Sequence, residues 1–64
     1  MKNKEKKVYA NKLINLEQQL KNLTDFNERR AIELKIETIV EEIMATENGF
    51  EDFLDIDEIV QKNI

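Results

Sequence analysis

Thr24-Asp25-Phe26-Asn27-Glu28 decides how this chain folds, because it separates two apolar stripes that do not share a phase. Asp25 followed three residues later by Glu28 is the spacing of a capping box, whose first side chain accepts a backbone N–H and starts a helix. Upstream, Tyr9, Leu13, Leu16, Leu20 and Leu23 fall in alternating steps of four and three, a seam along one side of a helix. Downstream, Ile32, Ile36, Ile39 and Ile43 form a second seam, widened by Val40 and Met44. Extending the first seam past Leu23 lands on Asn27, Arg30, Leu34, Glu37, Glu41 and Met44, and only two of these six are apolar. The expected fold is therefore all-α, an antiparallel helical hairpin rather than one long rod.

Charge points to the same turn. Residues 1–35 carry nine basic and five acidic groups, a net +4, while residues 36–64 carry one and nine, a net −8. Each helix alone has its charges at the wrong ends of its dipole, and antiparallel packing sets the early lysines beside Glu41, Glu42 and Glu47. Folding about residues 27–28 also brings Leu23 to Ile32, Leu20 to Ile36, Leu16 to Ile39 and Leu13 to Ile43. Gly49 is the expected left-handed cap ending the second helix. Asp55 with Glu58 repeats the capping spacing and predicts a short C-terminal helix from Ile56, packed across the open face of the hairpin or on a sister chain. The expected boundaries are a frayed basic N-terminus over residues 1–7 and a single helical domain over 8–64, with helices at 8–23, 26–48 and 56–63.

Missing residue types exclude most chemistry. The chain has no Cys, His, Ser, Trp or Pro and one Gly, Gly49. Nucleophilic triads need Ser or Cys with a neutral base. Phosphate-cradling loops need several glycines, and the usual zinc, haem and iron–sulfur ligands are absent. Read as a calcium loop ending at Glu58, residues 47–58 put Gly49 where an oxygen ligand belongs and Asp52 where Gly belongs. The Glu33, Glu37, Glu41 row lacks the Glu-x-x-His partner of a carboxylate-bridged metal site. The expectation is a protein that is not an enzyme and has no cofactor or metal.

At 64 residues, a lone domain hides only ~60% of the surface its unfolded chain exposes, so association between copies is the available reinforcement. Two hairpins joined through their stripes make a four-helix bundle. Ile14 and Leu34, lying off the main seams, ask for a second contact, and a homo-oligomer, with a dimer favoured, is expected. No run of apolar residues exceeds three, so neither a signal-peptide core nor a membrane span can be drawn, and the expected location is cytoplasmic. Lys, Asn and Ile supply 23 residues, a composition of AT-rich genes. The chain is similar in style to small helical proteins of phages and mobile elements, with no motif behind the likeness.

Three functional readings follow. The first is a small non-enzymatic protein-interaction module, a regulator or inhibitor that occupies a protein surface. Its expected contact surface combines Phe50, Phe53, Leu54 and Ile56 with Asp52, Asp55 and Asp57, phenyl anchors giving desolvation and carboxylates giving orientation. The second is an acidic nucleic-acid mimic, since residues 36–61 hold nine acidic groups and no basic one. The third is a structural coiled-coil subunit of a larger assembly. Direct nucleic-acid binding is not expected: five lysines in the first twelve residues stand beside only Tyr9. Arg29 and Arg30 are expected to pair with Glu33 on their own helix.

Overall fold

Asp25 starts a helix as its spacing requires: its side chain accepts the Glu28 N–H at 3.0 Å. In the computed structural model, which describes residues 1–64, that helix is the second of three, and there are no strands. The helices are α1 (Asn3–Asn22), α2 (Phe26–Met44) and α3 (Gly49–Lys62), and each touches both others.

The first connection is only Leu23 to Asp25, extended at both ends. No glycine closes α1. Its terminal carbonyls are instead met from the next helix, where Arg29 Nη1 donates to Leu20 O at 2.8 Å and Leu23 O at 3.1 Å. A cation there also answers the negative end of the α1 dipole. This replaces the expected pairing of Arg29 with Glu33. Glu33 is exposed, whereas the α1 end is partly buried: Leu23 O has no backbone partner and Leu20 O accepts only the long 3.3 Å bond from the Leu23 N–H.

The second connection corrects the sequence reading. Helix α2 ends at Met44, not residue 48, and its last turn has no basic residue. Thr46 and Asn48 compete for backbone hydrogen bonds and weaken helix there. Gly49 is not a left-handed cap, since no glycine has positive φ. It is buried and opens α3, where a Cβ would lie within 2.8 Å of three backbone atoms of Met44. Glycine is needed for this close approach of two chain segments. Helix α3 consequently begins seven residues before the expected Ile56, and Asp55 sits inside it rather than at its cap.

The N-terminus is also corrected. Residues 1–7 were expected to fray, yet α1 begins at Asn3, and Lys6 reaches across to α3. Their mutual repulsion is relieved by the acidic helix beside them.

Ala10 and Leu13 of α1, Ile43 of α2, and Ile56 and Val60 of α3 form the central cluster. Tyr9, Ile14, Ile36, Ile39, Phe53 and Ile59 pack partly against it. Thus Leu13 and Ile43 share one cluster, and of the two expected placements of the C-terminal helix, on its own chain or on a sister chain, α3 takes the first and covers part of both stripes. Only eight residues of 64 are buried, so total stability is on the order of 3–10 kcal/mol.

Gly49→Ala sets two effects against each other. Alanine favours helix by up to about 1 kcal/mol, while forcing a methyl into occupied space costs about 1–3 kcal/mol. With the Met44 backbone so near, overlap wins. Thermal circular dichroism should show a net loss of about 1 kcal/mol, a fall of roughly 5 °C in Tm; a raised Tm would contradict the close approach.

Candidate functional site

The periodicity of α3 places Asp52 on its inner face with Ile56 and Val60, four and eight residues further on. Asp52 is the one charged residue in the interior, at 3% exposure. Its Oδ2 lies 2.8 Å from Thr46 Oγ1, which also stands 2.8 Å from Ile43 O. One hydroxyl hydrogen serves one acceptor well, and the charged carboxylate is the stronger. The amino group of Met1 stands 3.5 Å from Oδ2, and Lys6 Nζ lies 3.8 Å from Oδ1. Lys6 also donates to Asp55 Oδ2 at 2.6 Å. No buried side-chain polar atom lacks a partner.

These contacts shift two titrations. The Thr46 hydrogen bond holds the Asp52 carboxyl below its usual value; burial opposes it, and the amino group and Lys6 add to it. The Asp55 hydrogen bond raises Lys6, against burial and with the help of both nearby carboxylates. The cluster is an anchor that ties α1, the second connection and α3 together.

The expected contact surface therefore divides. Asp52 and Ile56 are buried and unavailable for docking, and Phe53 is half-buried against the core. They are corrected to interior roles, because their spacing is that of the inner face. Phe50 and Leu54 remain outside, at 65% and 49% exposure, one turn apart. Asp55 is exposed but engaged with Lys6, and Asp57 is half-buried. Of the two residues expected to drive self-association, Ile14 packs against the core, whereas Leu34 is 46% exposed.

Leu34 belongs to a feature the sequence reading missed. Between α1 and α2 lies an open groove of about 540 Å³, with Leu16, Leu34 and Ile39 as its apolar lining and Lys12 and Lys35 as its charges. No residue of α3 borders it, so it opens on the side of the α1–α2 pair that α3 leaves bare. Leu34 standing off the second seam was the available signal. Asn15, Gln19 and Thr38 complete a lining that holds no carboxylate. No three carboxylates are close enough to hold a metal ion, and no helix is long and apolar enough to cross a membrane. No protein-family model matches the chain, and neither a curated protein nor a solved structure matches it.

The anchor gives stability a pH dependence of definite sign. Because Asp52 titrates below 3.8 when folded, the unfolded chain binds more protons there, so its contribution holds above 3.8 and is lost as pH falls through the folded value. Lys6 titrates above 10.5 when folded, so its contribution holds below 10.5 and fades as pH rises through the folded value. Asp52→Asn should lower Tm at neutral pH and reduce the further fall on acidification relative to wild type. Parallel curves for the two proteins would contradict the anchor.

Proposed function

We propose that the protein is a small non-enzymatic interaction module of the cytoplasm, a regulator or inhibitor that acts by docking on a protein partner. The observation that carries this reading is the exposed pair Phe50 and Leu54 on the outer face of α3, flanked by exposed Glu51 and by Asp55 and Glu58, whose carboxylates are paired with Lys6 and Lys62. Aromatic and aliphatic anchors inside a charged rim are the chemistry of protein docking: desolvation supplies affinity, and the carboxylates set orientation and on-rate. Neither anchor belongs to the buried core, so their exposure is not required by the fold.

The same reading takes α1 and α2 as an antiparallel hairpin. Leu16 and Ile39 line one groove, Leu13 and Ile43 one cluster, and Arg29 reaches the end of α1, which is the order a doubling-back chain gives. The hairpin is the frame on which α3 lies with its outer face free.

The acidic-mimic reading draws on the nine acids of residues 36–61. It is weaker, because Asp52 is spent inside the fold and Asp55 is paired with Lys6.

Capture from a host extract separates the two. Under the docking reading, Phe50→Ala with Leu54→Ala removes a discrete protein that wild type retains through high salt, with helical circular dichroism unchanged. Under the mimic reading, that protein is released by salt and by Glu51→Lys with Glu58→Lys, and the double alanine variant still holds it. Equal capture by wild type and the double alanine variant overturns the proposal.

A further inference from the structure

We propose that the groove between α1 and α2 receives the outer face of α3 from a second copy of this chain, so that copies associate head to tail. The inference rests on reading that face of α3 as a docking surface, and it names the occupant.

Charge selects the occupant. The groove carries Lys12 and Lys35 and no acid, over an apolar floor of Leu16, Leu34 and Ile39. The outer face of α3 carries Phe50 and Leu54 beside Glu51, Asp55 and Glu58; Asp55 is engaged by Lys6 and Glu58 by Lys62, so Glu51 is the acid without a cation partner of its own, and the half of the chain that includes α3 still carries a net −8. Lysine rims meet carboxylates while phenyl and leucyl side chains meet the apolar floor. The alternative contact between copies, groove against groove, sets Lys12 and Lys35 of one copy near the same residues of the other. Like charges brought together in a partly desolvated interface oppose that arrangement.

Lengths agree as well. Lys12 to Gln19 spans seven residues of α1, about 10 Å at helical rise. Phe50 to Glu58 spans eight residues of the outer face of α3, about 12 Å, a comparable length. The groove and the outer face of α3 lie on opposite sides of the α1–α2 pair, so one copy can use both at once. Such a contact is heterologous and, unless a ring closes, continues from copy to copy.

Sedimentation equilibrium on the full chain tests this, at protein concentrations from about 10 µM to about 1 mM. Wild type should show a weight-average mass that rises steadily past a dimer and falls back when added salt screens the contact. Phe50→Ala with Leu54→Ala removes the inserted face; Lys12→Glu with Lys35→Glu blocks the groove. Each double variant alone should be monomeric over that range, with affinity reduced at least about 30-fold.

Mixing the two variants is the decisive step. One retains an intact groove and the other an intact α3 face, so the mixture should recover a single one-to-one dimer that does not grow. All four positions are exposed, and Leu34→Glu provides a second way to block the groove if the lysine variant loses helicity. A wild type that remains monomeric throughout overturns head-to-tail association while leaving docking on a different protein standing. Association that survives the alanine pair, or a mixture that stays monomeric, overturns it too.

Discussion

The fold depends on a carboxylate kept out of water. Asp52 lies on the inner face of α3 and is satisfied by groups from the other parts of the chain: the Thr46 hydroxyl from the second connection and the ammonium groups at the start of α1. An ionised group in an interior is costly unless it is paired and hydrogen-bonded. That penalty restricts the geometry. Any arrangement that moves the first turn of α1 away from α3, or opens the Thr46 connection, exposes the carboxylate to a site with too few partners. The apolar cluster of Ala10, Leu13, Ile43, Ile56 and Val60 supplies attraction without direction, and Asp52 fixes which ends meet.

Much of the architecture was legible in the sequence, for reasons that can be named. The two long helices follow from uninterrupted seams, and the start of α2 from a single local hydrogen bond between Asp25 and the Glu28 N–H. Both signals lie within one element. What the sequence hid depends on contacts between elements. Lysines at the N-terminus repel one another in isolation, and only the neighbouring Asp52 and Asp55 make an ordered turn there favourable. Gly49 has the composition of a helix stop but serves as a point of close backbone approach to Met44. Arg29 had a carboxylate within helical reach and uses the end of α1 instead.

The candidate site was legible by residue type and misread by face. Phe50, Leu54 and Asp55 are on the outside, as a docking surface requires, while Asp52 and Ile56 point inward. The spacing from Asp52 to Ile56 to Val60 carried that distinction, but a charged residue on an apolar face reads as an interruption until its partners are known. The groove between α1 and α2 could not be found from one helix's periodicity, because its lining is shared between two. Charge separation along the chain joins these features: the basic half supplies the anchor's lysine and the groove's rim, and the acidic half supplies the anchor's carboxylates and the acids of the outer face of α3.

The central claim is that the first turns of α1 are held in place by α3 through the Asp52 cluster, and amide hydrogen exchange at neutral pH measures this residue by residue. The account requires the amides from Lys7 to Ala10 to be protected to the same degree as those of Ile56 to Val60, as one cooperative unit. Exchange of Lys7 to Ala10 at unstructured rates, with α2 and α3 still protected, would contradict it.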